Sequence, residues 1–126
     1  MNLQHVALTC SSEKNADNFY GKLLGLEKSA PKTLPSSLSK AIFNIESDLT
    51  MVNYMNESVR FEIFIYDHLQ RNDSRIEHVC LEVNDLDEFL ERCRSLGVKF
   101  WRVPKGESVV TFVSDEDGNL FEMKQK

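Results

Sequence analysis

Hydrophobic positions along this chain follow two rhythms, and the same succession of rhythms occurs twice. After His5, the residues Val6, Leu8 and Cys10 alternate with Ala7 and Thr9, the period-two pattern of a strand with one buried face. Ala16, Phe19, Tyr20 and Leu23 then fall at i, i+3, i+4 and i+7, the buried stripe of an amphipathic helix. The second copy begins at His78, where Val79, Leu81 and Val83 alternate, and Leu86, Phe89, Leu90 and Cys93 repeat the helical stripe. His5-Val6-Ala7-Leu8 thus returns as His78-Val79-Cys80-Leu81. The helices end alike, in Leu23-Leu24-Gly25-Leu26 and Ser95-Leu96-Gly97-Val98, where glycine can take the left-handed conformation that stops a helix. Asp85 followed by Glu88 is a capping box for the second helix; Ser11 or Ser12 can cap the first, without an acidic partner.

Beyond each glycine the pattern returns to strands. In the first copy they are expected at residues 40–45, 49–55 and 59–66, and in the second at 99–103, 109–113 and 120–124. Each copy therefore reads βαβββ, and the last strands match as Arg60-Phe61-Glu62-Ile63 and Leu120-Phe121-Glu122-Met123. The expected fold is α+β, a single domain over residues 1–126 made of module 1 (1–66), a polar linker (67–74) and module 2 (75–126). Residues 27–39, with two prolines and four serines, read as a long loop, and Asp115-Glu116-Asp117-Gly118-Asn119 as a hairpin turn.

Strand parity then sorts the side chains. With Val6, Leu8 and Cys10 under a helix, His5, Ala7 and Thr9 point the other way; with Val79, Leu81 and Val83 inward, His78, Cys80 and Glu82 do not. Phe61, Ile63 and Ile65 leave Glu62, Phe64 and Tyr66 opposite, and Phe121 and Met123 leave Glu122 opposite. Both histidines and both glutamates thus face away from the helices. A lone strand histidine or glutamate is more often a solvated or hydrogen-bonded residue than a ligand. The same types at matched positions in both copies, on a face shared with Ala7, Phe64, Tyr66 and Cys80, point instead to convergence. His5, Glu62, His78 and Glu122 make a nitrogen and oxygen set suited to Zn, Ni, Co, Mn or Fe(II), with positions left for water or substrate.

Composition narrows the function without changing this picture. Of 126 residues, 41% are hydrophobic and 28% charged, and no apolar run approaches a membrane span, so no membrane role is expected. The net charge of −5 with scattered Lys and Arg excludes a basic stripe for nucleic acid. The start, from Met1 directly into a strand-like segment, carries no secretory pattern, and a cytoplasmic location is expected. Cys10, Cys80 and Cys93 form neither a CxxC pair nor an even set and read as reduced, mostly buried thiols, Cys80 as a small buried hydrophobe. His68 reads as a solvated linker residue with no structural role.

The residues that carry this pattern resemble the vicinal oxygen chelate superfamily of glyoxalases, bleomycin resistance proteins and dioxygenases. The resemblance rests on His5-Val6-Ala7-Leu8, on Phe19-Tyr20 with Leu23-Leu24-Gly25-Leu26, on His78-Val79 with Leu81, and most specifically on the run from Phe112 to Glu122. It implies curved sheets around a shared metal cavity, helices on the outer face, and a homodimer in which modules of two chains can pair. Dioxygenase and fosfomycin-type relatives use two histidines and one glutamate, matching His5, His78 and Glu122; here Glu62 fills the fourth position too. That implies the glyoxalase I and methylmalonyl-CoA epimerase branch, a metal-dependent lyase or isomerase.

On that reading a divalent metal ion (Zn, Ni, Co or Mn) and the carboxylates Glu62 and Glu122 move a proton next to a carbonyl of a small substrate, through an enediolate. The alternatives are a metabolite- or drug-binding protein and an Fe or Mn extradiol dioxygenase. The arginine with which glyoxalase I holds a glutathione adduct has no counterpart in residues 40–45. Lys105-Gly106 resembles that enzyme's basic loop, although a Lys-Gly turn is common. Trp101, Arg102 and Tyr54 are candidates to line the pocket, with an equal case for packed or snorkelling strand residues.

Overall fold

In the computed structural model, residues 1–68 and 76–126 are described, and the chain divides into two compact units, 1–69 and 70–126. Most of the expected linker, from residue 69 to 74, lies outside the described residues.

The first unit runs β1 (Val6–Cys10), α1 (Glu13–Ala16, continuing as a wider π-helical stretch Asp17–Leu23), β2 (Glu27–Lys28), β3 (Lys32–Leu34), α2 (Ser36–Phe43), β4 (Leu49–Met55) and β5 (Arg60–Ile65). Ser12 caps α1 by accepting from the Asn15 amide at 3.1 Å. The helix closes with the Leu24 amide donating to the Phe19 carbonyl, before Gly25 turns the chain at φ 70°. The sheet order is β1-β5-β4-β2, with β3 also on β4; β1 and β5 are parallel and the other pairs antiparallel. On the helix side the fully buried Tyr20 ring packs against Tyr54 and Phe61, with Leu23, Val52 and Ile63 completing the core.

The second unit is simpler: β6 (Val79–Val83), α3 (Leu86–Leu96), β7 (Lys99–Lys105), β8 (Ser108–Ser114) and β9 (Leu120–Gln125), in the order β6-β9-β8-β7. Again the first and last strands pair in parallel. The Asp85 side chain caps α3 by accepting from the Glu88 amide at 2.9 Å, and Gly97 ends it at φ 67°. Phe89, Leu90 and Cys93 are buried as expected, as are Val113, Phe121 and Met123 of the sheet. In the β8–β9 turn Asp115 accepts from the amides of Asp117 and Asn119 and from the Asn119 side chain, while Gly118 takes φ 82°.

Four expectations need correction. Residues 40–45 are not a strand: Ser36–Phe43 is helix α2, started by Pro35, whose fixed φ suits a helix entry, and stopped by Asn44 in the left-handed region at φ 59°. Residues 27–39 are not one open loop, because β2 and β3 pair with β4 and the helix begins at Ser36. Cys80 is exposed, on a strand that among the described residues pairs only with β9; Cys10 and Cys93 are buried. His68 is exposed, but its Nε2 lies 3.1 Å from an Asp67 oxygen and its ring meets Tyr66 edge-on. No helix among the described residues is long and apolar enough to cross a membrane.

Candidate functional site

Each unit builds a histidine and glutamate pair from its first and last strands. In the first, Ala7 of β1 is the ladder partner of Glu62 of β5, and His5 stands two residues before Ala7, hence on the same sheet face. The His5 Nε2 lies 3.8 Å from a Glu62 oxygen; the histidine side chain is 41% exposed and the glutamate 16%. In the second, Cys80 of β6 partners Glu122 of β9, His78 stands two residues before Cys80, and its Nε2 lies 3.6 Å from a Glu122 oxygen. The offset of the pair from its ladder is therefore the same in both units, as the sequence repeat demands.

The two gaps are longer than a hydrogen bond and shorter than water-separated contact. His78 shows why this matters. Its Nδ1 is 2.7 Å from the Ile76 carbonyl, which can only accept, so in the neutral ring, the form that binds a metal, Nδ1 carries the proton and Nε2 presents its lone pair toward Glu122. Two lone-pair donors facing each other repel unless a cation lies between them. Donors bound to one ion at about 2.1 Å each cannot be more than about 4.2 Å apart, and both pairs satisfy that limit. The donor set thus fits a divalent metal in chemistry and spacing.

The surroundings differ between the units. Phe112 of β8, the ladder partner of Glu122, meets the His78 ring edge-on at 5.6 Å, and Trp101 stacks on Phe112 at 6.1 Å. The Lys124 ammonium lies 3.7 Å from the other Glu122 oxygen. Desolvation of the Cys80 thiol, and then the Glu122 carboxylate beside it, hold that thiol above its ordinary range. In the first unit, Asn53 partners Glu62 and takes the Arg60 Nε–H at 3.1 Å. Further along the same face lies a hollow of about 180 Å³ between the sheet and α2.

Of the residues offered as pocket lining, Trp101 is on the Glu122 face through its pairing with Phe112. Arg102 is not: it pairs with Thr111, which is buried on the helix side with Val113. Tyr54 is likewise a core residue, fully buried and donating to Asp17 at 2.6 Å. Lys105 is the last residue of β7, exposed before the Gly106 turn. Phe112 and Phe43 were missed. Parity from Val113 would have found Phe112; Phe43 needed α2 to be recognised.

The fold and these pairs can now be set beside known proteins. A model of the Glyoxalase/Bleomycin resistance protein/Dioxygenase superfamily matches residues 2–123, and the chain belongs to that superfamily. The α+β architecture of repeated βαβββ units agrees with it. Among solved structures, the glyoxalase family protein from Enterococcus faecalis is 22% identical with a TM-score of 0.76, covering 97% of this chain and 95% of its own. The genomically encoded fosfomycin resistance protein FosX from Listeria monocytogenes is 18% identical with a TM-score of 0.74, covering 100% and 93%. The trypanothione-dependent glyoxalase I of Leishmania major is 18% identical with a TM-score of 0.72, covering 99% and 86%. A variant of the Listeria FosX was solved with Mn(II) and 1S,2S-dihydroxypropylphosphonic acid. Comparison with curated proteins gives no match.

Proposed function

We propose that His5, Glu62, His78 and Glu122 together hold one divalent metal ion, and that the protein is a metal-dependent lyase or isomerase moving a proton beside a carbonyl. The observation that carries this reading is the pair of matched gaps, 3.8 Å and 3.6 Å, each between an imidazole nitrogen and a carboxylate oxygen. One pair offers two donors, too few for a transition ion that takes about four ligands. The duplicated pair doubles the number with the same chemistry. Superfamily membership and the Mn(II) bound by a FosX variant support the same reading.

A divalent ion held there would polarise the substrate oxygens and so acidify the neighbouring C–H bond. The chain supplies the groups that move the proton. Glu62 and Glu122, 16% and 19% exposed as side chains, are shielded enough to act on a bound substrate and open enough to be reached. One accepts the proton and the other can return it on the opposite face of the carbon. His5 and His78 bind without exchanging protons, and the Ile76 carbonyl keeps His78 in the tautomer this requires.

The test is elemental analysis of protein purified without added metal, followed by titration with Zn(II), Ni(II) and Mn(II). The expected result is about one ion per chain in wild type and its loss in His5→Ala and in His78→Ala. A wild type that takes up none of these ions would refute the reading. Glu62→Gln and Glu122→Gln should fold normally and each lose turnover on a substrate accepted by the wild type. We further propose a homodimer, in which His5→Ala chains mixed with His78→Ala chains recover part of the metal if units pair across chains.

A further inference from the structure

The repeat is broken at one place. Between its helix and its last two strands the second unit has only β7, whereas the first has β2, β3 and helix α2. The added helix does not join the core on the side of α1. Its last residue, Phe43, meets Phe64 edge-on at 5.3 Å, and Phe64 follows Glu62 by two positions on the same face of β5. The α2 helix therefore stands over the face that carries the first histidine and glutamate pair, and the hollow of about 180 Å³ lies beneath it.

The position and lining of this hollow are specific. Ala7, the ladder partner of Glu62, and Thr9, the partner of Phe64, form one side with Leu8 between them; Phe43, Ile45, Leu49, Phe64 and Tyr66 form the rest. At about 3.3 Å per strand residue, Phe64 sits roughly 7 Å beyond Glu62, the length of a short substituent. None of the described residues lining the hollow is charged, and the only side-chain polar atoms are the hydroxyls of Thr9 and Tyr66. A volume of about 150 Å³ lined by Leu, Ile and Phe is enough to take benzene, and this hollow matches it in size while being open on one side. The start of the helix is tied to the residue before β4, and its end is capped from within. The Ser36 amide donates to Asp48 at 2.7 Å, and the Lys40 ammonium donates to the side chain of the Asn44 cap at 2.7 Å.

We infer that the hollow between α2 and β5 is a specificity subsite for an uncharged, phenyl-sized substituent of the substrate, held while its carbonyl end meets the site at Glu62. This rests on the proposed function for the second half of the statement and on the hollow alone for the first. It narrows the substrate to small carbonyl compounds bearing an aryl or branched alkyl group. A charged group placed in the hollow itself would find no partner in this lining.

The test separates the two halves. In metal-free protein, toluene is titrated while the methyl signals of Ala7, Leu8, Ile45 and Leu49 are followed by NMR. Saturable shifts confined to these methyls are expected, and their absence overturns the inference whatever the metal does. With Mn(II)-loaded protein, mandelate and lactate, which share the same vicinal oxygens, are compared by calorimetry. Mandelate should bind about tenfold or more tightly, from burial of its ring. Thr9→Phe, which fills the hollow, should bring the two to equal affinity with lactate unchanged. Phe43→Ala, at a residue 44% exposed and so safe for folding, should weaken mandelate alone. Equal affinities in wild type would overturn the subsite while leaving the metal centre standing. If the protein takes no metal, the metal reading falls and the toluene shifts alone decide the hollow.

Discussion

Tyr54→Phe isolates one interaction whose energetic signature can be worked out in advance. The ring is fully buried against Tyr20, and its hydroxyl donates to Asp17 at 2.6 Å. Asp17 is also held by the Lys28 ammonium at 2.9 Å, and its side chain is 40% exposed. Removing the phenol oxygen therefore leaves no buried group unpaired. The loss should sit at the lower end of the range for a hydrogen bond to a charged group, about 1–2 kcal/mol at pH 7. The alkaline limb gives a second, independent reading. Burial first, and then the bond to Asp17, push the Tyr54 phenol well above its ordinary value of 10.0. A group whose pKa is raised by folding contributes stability below its unfolded pKa and loses it as pH rises. The unfolded chain ionises Tyr54 near pH 10 while the folded chain does not, which removes about 1.4 kcal/mol by pH 11 and about 1.4 kcal/mol for each unit beyond. Tyr54→Phe lacks this loss. The advantage of the wild type in urea denaturation should be greatest near neutrality and fall to almost nothing by pH 11. Contributions from the rest of the chain are common to both proteins and cancel in the difference. Two curves that stay parallel from pH 7 to pH 11 would refute the assignment of a protonated, hydrogen-bonded Tyr54.

Three further outcomes follow from the second unit. Phe112→Ala keeps every candidate ligand atom but frees the His78 ring on one side; calorimetric titration should show Mn(II) or Zn(II) binding weakened about tenfold, with the urea midpoint little changed. Gly97→Ala should cost about 1 kcal/mol by urea denaturation, because φ is 67° there and nothing lies within 4 Å of an added Cβ, so backbone strain acts alone. Burial pushes the Cys93 thiol up to about 11, and the residue is fully enclosed. Iodoacetamide at pH 8 should label Cys80 in folded protein and Cys93 only after unfolding, as read by peptide mass mapping.

Much of the site was legible because a strand reports its faces through a period of two. Once Val6, Leu8 and Cys10 are placed inward, His5 has no other face to occupy, and the ladder pairing of Ala7 with Glu62 follows the same parity. Asp85 and Gly97 were legible for an equally local reason, since a cap is decided by a few neighbouring residues. Helix α2 was hidden because local signals conflict there. Ser36, Ser37 and Ser39 weaken helix propensity, and Ile42, Phe43 and Ile45 read as a strand. The usable signals were Pro35 before the first turn and Asn44 after the last. Residue type leaves Tyr54 open between pocket and core, whereas its parity with Val52, and the pairing of both with Phe61 and Ile63, puts it in the core. The His78 tautomer lay beyond any pattern, since it depends on a carbonyl two residues away that only folded geometry brings into reach.

The parallel closure of each unit also fixes when its histidine can meet its glutamate. Val6 pairs with Phe61, and Val79 with Phe121, at separations of roughly 55 and 42 positions along the chain, among the longest loops either unit must close. The histidine emerges first during synthesis and its partner comes with the last strand, so neither pair can exist in a partly made unit. On the proposed four-residue site, ion binding then reports completion of both units. An added divalent ion should act on the late, slow step of folding, the docking of the final strand beside the first, and leave the earlier helix and hairpins untouched.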